Sequence, residues 1–370
     1  MSDVLKESHA TKRVVSVDAL RGFDMFWIIG GGTVFASLHK IFDAPATEWI
    51  RTQLRHVKWE GFRFEDLIMP LFLFIVGVVI PYSYRKRIDR GDSRLKIYAH
   101  LIKRTVILFI LGMIAQGHLL KYDLAELHIY CNTLQAIAAG YLIASVLYLN
   151  FRLWGQIVIT AALLLLFWAL MMLIPVPGHG AGQLTPDGNL AIYIDKLVLG
   201  RFQDGTTYTW ILSSLTFACT VMLGLFAGEL LRAEISGFRK VFFLVLLGAG
   251  SLGAGILWSY WFPIIKHIWT SSFVLYAGGL SYLLLAAFYL VIDVIGLQKW
   301  AFPFVVIGSN AIAVYMATHL FDFRTWSDIF RGPLYEHMGN WDDFVRALGG
   351  LLIVWLILLW MYKKKTFVKV

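Results

Sequence analysis

Ten runs of about 20 mostly apolar residues dominate this 370-residue sequence, and they fix its solvent before anything else. They fall at roughly 19–38, 64–84, 105–120, 129–149, 155–175, 210–231, 241–262, 271–293, 301–320 and 343–362. A helix needs roughly 20 apolar residues to cross a hydrocarbon core. Lipid offers backbone N–H and C=O groups no partner but one another, so such runs are helices. Composition agrees: 58% of residues are apolar and 15% charged, against about 45–50% and 25% in soluble domains. Mean hydropathy is +0.68. The expected fold is an all-α integral membrane protein, one domain over 1–370 with about ten transmembrane helices. A cytosolic enzyme, a nucleic-acid module and a disulfide-stapled scaffold are excluded. Cys131 and Cys219 lie inside apolar runs, so neither a disulfide nor a cysteine metal site is implied.

An even number of spans puts both termini on one side. The positive-inside rule makes that side the cytoplasm, because most of the 33 lysines and arginines then fall there. They include the 1–17 tail, the Arg85–Arg104 segment and the C-terminal lysines. The net charge of +9 is therefore a topology signal and does not call for nucleic acid. The first apolar run starts among Asp18, Arg21 and Asp24 and is followed by no small-residue cleavage site, so it reads as a retained helix. Three long connections, 39–63, 176–209 and 321–342, face outward, with His39, His56, His118, His128, His179, His267, His319 and His337 on that side.

Among the motifs, Gly248-Ala249-Gly250-Ser251-Leu252-Gly253 has dinucleotide-fingerprint spacing but lies within a span. It therefore reads as helix packing through Ala249/Gly253 and Ser251/Gly255. Gly30-Gly31-Gly32 implies either close backbone packing or an unwound turn, since each glycine costs about 1 kcal/mol in a helix. Arg55-His56-Val57-Lys58-Trp59-Glu60-Gly61 leads directly into an apolar helix whose mouth carries Asp66. Histidine suits proton transfer near neutral pH; the plainer alternative is an interfacial anchor with a helix cap. Asp18 and Arg21 share a helix face and can pair. Alternatively Arg21, Lys103 and Arg104 form a basic inner mouth for phosphates. Gln135, Lys266 and Asn310 are polar within or beside spans, which interhelical hydrogen bonds also explain. No zinc-peptidase or serine-hydrolase motif is present.

Taken in order, several of these stretches resemble the heparan-α-glucosaminide N-acetyltransferase family. They are Arg13-Val-Val-Ser-Val-Asp18-Ala-Leu-Arg21-Gly22, the Gly30–Gly32 run, His56-x-x-Trp59-x-Gly61 and Asp66-Leu-Ile-Met-Pro70 through Gly77. The resemblance continues through Leu134-Gln135, Pro175–Gly178, Tyr193–Gly200, Met222–Gly228, Pro263–Phe273 and Ser309-Asn310. It implies a multispan acetyltransferase of the bacterial inner membrane, with acetyl-CoA as cytoplasmic donor, no metal, and the amine of a glucosamine-type sugar or glycan as outer acceptor. It implies His56 as the essential histidine, acting as base or transient acetyl carrier, and a homodimer, as relatives form. Beside His56, the expected supporting residues are Asp66 for orientation and Trp59, Gln135, Lys266, Trp269 and Asn310 for the acceptor. Arg21, Lys103 and Arg104 are expected to hold the cofactor phosphates. Family members with a large luminal segment carry an asparagine ahead of the glycine run, where this sequence has Ile28-Ile29; a small amino sugar or cell-envelope glycan is expected at least as readily as a polymer. The rival class is an amino-sugar or N-acetylglucosamine transporter, in which His56 only binds.

Overall fold

The computed structural model describes residues 14–332 and 338–368, apart from the side chains of 330 and 331. His337, the basic residues of the N-terminal tail and Lys369 lie outside the described residues. The described residues are helical and contain no strand, only two isolated β-bridges.

Among the described residues eight helices are long and apolar enough to cross a membrane, or nine if a bent pair is counted as one span. They are α4 (Phe64–Asp89), α5 (Arg94–Ala115), α6 (Thr133–Asn150), α7 (Leu153–Leu173), α9 (Ser214–Arg232), α10 (Gly237–Ser259), α11 (Ser271–Tyr289, continued to Val294 by a π-turn) and α15 (Asp342–Lys363, preceded by a short 3₁₀ turn). The bent pair is α12 (Phe302–Gly308) and α13 (Ala311–Leu320), turned by 63° at Ser309-Asn310. The predicted first span is helical but divided, as α1 (Val15–Phe26), a π-turn at Trp27–Gly31 and α2 (Gly32–Ile41). The count of long apolar helices among the described residues is thus eight or nine, where about ten spans were expected. The break in the first one falls at the glycine run, with Gly30 out of helical conformation, while Asp18, Arg21 and Asp24 lie within the unbroken α1. The three predicted loops each carry a short helix: α3 (Pro45–Gln53), α8 (Leu190–Leu199) and α14 (Phe323–Arg331).

Glycines set how closely the helices approach. On α4 and α9, a Cβ at Gly77, Gly224 or Gly228 would overlap the backbone carbonyl of Val221, Phe74 or Val78. The two helices therefore meet backbone to backbone, and α4 is buried along most of its length. α1 and α12 meet in the same way through Gly22 and Gly308. The fingerprint-like run lies within α10, and its packing face is Gly248, Ser251 and Gly255 against α11. Ala249 and Gly253, the other expected pair, are exposed because the helical period turns them away from that seam. In the glycine run, Gly30 adopts φ +137°, which unwinds the helix and lines a cavity of about 170 Å³ with Ile28, Thr33 and Thr318. Gly31 instead faces the Phe26 ring at a distance no side chain would permit.

Candidate functional site

The segment between α3 and α4 enters the site by clamping onto a second connection far away in sequence. Gly61 takes φ +116°, a conformation that favours glycine, and its N–H donates to Ile264 O at 2.9 Å. Glu60 bridges Ile265 beside it. The second connection, 260–270 between α10 and α11, folds around Thr270. The Thr270 hydroxyl donates to Pro263 O (2.8 Å) and accepts from the Ile265 N–H (3.1 Å). Trp269 closes that turn with φ +50°, a conformation worth about 1–3 kcal/mol of strain in a bulky residue. What holds it is burial: its Nε1 donates to Thr220 Oγ1 at 3.0 Å and its ring packs edge-on against Phe217 and Phe273.

This clamp brings three charged or ionisable groups together. Asp66, in the first turn of α4, is fully buried, and its Oδ2 accepts the N–H groups of Arg63 (3.1 Å) and Val57 (3.3 Å). Its Oδ1 accepts from His56 Nδ1 at 2.9 Å. Lys266, delivered by the Thr270 turn, places Nζ 3.2 Å from His56 Nδ1 and 3.5 Å from Asp66 Oδ1. The Lys266 side chain is 4% exposed and that of His56 47%. Burial pushes the Lys266 amine below its usual range, with Asp66 and Glu65 opposing. An ionised carboxylate only accepts hydrogen bonds, so Asp66 fixes the imidazole proton on Nδ1. Nε2 is then the free lone pair on a half-exposed ring, suited to take a proton or attack an acyl carbon.

Around this trio the surroundings are aromatic. The His267 ring stacks on Tyr208 at 4.2 Å, accepts or donates at Thr207 Oγ1 (2.7 Å), and lies 5.2 Å from Trp59. Burial, with Lys266 adding, pushes its pKa down to about 4, so the ring is neutral. Trp59 donates Nε1 to Leu184 O at 2.8 Å, tying the 176–189 connection to the site. A cavity of about 300 Å³ opens beside Arg55 and is lined also by Lys40, Arg51, Arg324 and Arg346.

The other expected residues are distributed differently. Trp269, expected above to serve the acceptor, is buried with its ring against Phe217 and Phe273 and its N–H on Thr220, so it anchors the turn that presents Lys266. Gln135 is fully buried, with Oε1 accepting from Cys131 N (2.9 Å) and Nε2 donating to Ile129 O, so it closes the entry to α6. Asn310 sits at the α12–α13 bend and bonds Thr366 O (3.1 Å) and Val368 N (2.9 Å) beyond the C-terminus of α15. Its partners are thus the residues that follow α15, and none of the His56–Asp66–Lys266 trio is among them. Arg21 pairs with Asp18 at 3.6 Å. Lys103 is exposed, and the Arg104 guanidinium lies 4.5 Å over the Tyr141 ring with its Nε unpartnered among the described residues. Sequence reasoning missed Glu65, which is within electrostatic range of His56, Lys266 and Asp66, and the ring stack of His267. Adjacency to Lys266 was the available signal for His267.

Comparison with known proteins identifies the family. The family model described as "Heparan-alpha-glucosaminide N-acetyltransferase, catalytic" matches residues 13–253, a stretch that holds His56, Trp59 and Asp66 and stops short of Lys266. The heparan-alpha-glucosaminide N-acetyltransferase of Homo sapiens is 24% identical over 421 residues, covering 97% of this chain and 60% of that protein. The Mus musculus protein of the same name is 24% identical over 380 residues, covering 85% and 56%. The chain thus spans less than two thirds of the length of these curated relatives. With the match running through most of the chain, including the loop that carries the histidine and the helix start that carries its carboxylate, this protein belongs to the heparan-alpha-glucosaminide N-acetyltransferase catalytic family.

Proposed function

We propose that this protein is an integral-membrane N-acetyltransferase that moves acetyl from cytoplasmic acetyl-CoA to the amine of a glucosamine-type sugar at the outer face of a bacterial inner membrane. The observation that carries the reading is the His56–Asp66–Lys266 trio, in a chain of this family, with a half-exposed imidazole oriented by a buried carboxylate.

In this reading Asp66 holds the Nδ1 proton, and His56 Nε2 takes a proton from the acceptor nitrogen. General-base help of this kind is typically worth 10²–10⁴-fold. The nitrogen lone pair forms the C–N bond at the thioester carbonyl. The C–S bond then breaks, sulfur leaves with its electron pair, and the imidazolium returns the proton to give free CoA thiol. The buried Lys266 ammonium keeps Asp66 ionised through the cycle. Alternatively Nε2 itself takes the acetyl group and passes it to the amine. At the opposite end of the bundle Arg104, with Lys103 and Arg21, would receive the nucleotide phosphates, and the pantetheine arm would run between helices towards His56.

The test is purified protein in detergent with acetyl-CoA and glucosamine, followed by the appearance of free thiol. Release that requires the sugar and is absent in His56→Ala supports the enzyme. Absence of release, together with labelled sugar accumulating in proteoliposomes without CoA, would establish the transporter instead. A single-turnover reaction with acetyl-CoA alone, analysed for acetyl-histidine, separates the two chemical routes.

A further inference from the structure

Asp24 on α1 is fully buried, and neither of its carboxylate oxygens has a hydrogen-bond partner among the described residues. Burying a carboxylate unpaired is among the costliest acts in folding, and an intramembrane acid marks a functional site unless its partner is at hand. A second orphan stands three residues on, on the same helix face: the buried Trp27 Nε1 also lacks a partner. At Trp27 the α-helix opens into a π-turn that ends beside Gly30, a distortion found mostly at functional sites.

The surroundings connect this face to the His56 site. The Trp27 ring packs edge-on against Phe64, the first residue of α4, at 4.9 Å. Asp24 lies within electrostatic range of Glu65, which is itself within range of His56, Asp66 and Lys266. An unsatisfied acceptor and an unsatisfied donor therefore stand three residues apart on the α1 face whose Trp27 packs on the start of α4, and the nearby charge of Glu65 is of the same sign as Asp24. A ligand that satisfies all three carries a cationic donor and, a few ångströms away, a neutral hydroxyl or ether acceptor.

We propose that Asp24, backed by Glu65, holds the ammonium of the amino-sugar acceptor, with the Trp27 N–H donating to an adjacent sugar oxygen. This inference rests on the acetyltransferase reading above. It adds a specificity consequence: the substrate is a cation and the acetylated product a neutral amide, so the buried carboxylate binds the first and releases the second. Asp24 is a binding residue here: the proton the ammonium loses before attack passes through His56 to solvent, and the second, lost from nitrogen as the amide forms, passes through His56 to the leaving thiolate.

The test measures binding of glucosamine and of N-acetylglucosamine to the detergent-purified protein by calorimetry, without acetyl-CoA. The wild-type protein should bind the amine more tightly than the amide. Asp24→Asn should lose about tenfold or more of its affinity for the amine, the scale of one charge-assisted hydrogen bond, with the amide unaffected. In turnover, the same variant should raise KM for the amine far more than it lowers kcat. Equal affinity of the wild-type protein for amine and amide would overturn the proposal without any variant, as would an Asp24→Asn protein that binds glucosamine undiminished. If Asp24→Asn does not fold, Trp27→Phe should weaken amine binding severalfold, and no change would count against the proposal. Absence of thiol release would defeat the acetyltransferase reading while leaving amine-selective binding as a separate result.

Discussion

The middle and the beginning of α4 are held by opposite kinds of chemistry. Along its middle, Gly77 lets the helix meet α9 backbone to backbone, with Gly224 and Gly228 doing the same from the other side. At its beginning, Asp66 is held by two backbone N–H groups, an imidazole and a buried ammonium. The seam resists charge and pH but has no room for volume; the mouth has room for side chains, and its charges depend on one another. The seam thereby contributes stability alone, while the mouth carries the proposed chemistry together with its own charge pairing.

The largest effect should come from the mouth. His56→Ala should lower turnover by about 10²–10⁴-fold with the thermal midpoint nearly unchanged, because the ring is half-exposed; thiol release and a melting curve on one preparation check both halves. Next, Lys266→Met leaves Asp66 buried beside no cation, which should cost about 3–5 kcal/mol of stability. Denaturant unfolding should register that loss, and a variant as stable as the parent would mean that the amides and His56 alone satisfy Asp66. At the seam, Gly224→Ala should cost about 1–3 kcal/mol by overpacking, with residual activity per folded molecule close to normal. A large specific loss of activity there would break the separation.

The smallest effect is one of pH. The folded His267 ring has a pKa of about 4 against about 6.5 unfolded. The sign follows from linkage: above about pH 6.5 the ring is neutral in both states, and below it the unfolded chain binds a proton that the folded protein does not. Stability should fall between pH 6.5 and 4, and His267→Gln should flatten that fall as measured by thermal midpoints across the range.

The spans were legible because lipid leaves an apolar run no alternative to a helix. Their edges were less so. α5 begins at Arg94, well before the apolar run expected at 105, since arginine and lysine are good helix formers and continue the helix beyond the hydrocarbon. Within the site, His56 and Asp66 stood in one stretch of sequence. Lys266 was visible only as a polar residue near a span; its place at the imidazole depends on the pairing of the 54–63 segment with the 260–270 connection. Local sequence carries no record of that pairing. The partners of Trp269 and Gln135 were not legible for one reason: a polar-capable side chain near a candidate site looks the same in sequence whether its polar atom faces a ligand or, as here, a Thr220 hydroxyl or a neighbouring backbone. The charge of Asp24 was noticed as an interruption of a span, but its lack of a partner is a three-dimensional fact.

The central claim is that donor and acceptor approach His56 from opposite faces of the membrane. Reconstituted vesicles of uniform orientation, with acetyl-CoA supplied at the Arg104 end and glucosamine confined to the His56 end, test it directly. The account predicts N-acetylglucosamine on the glucosamine side and free CoA thiol on the other. Product that forms only when both reactants share one compartment would contradict it.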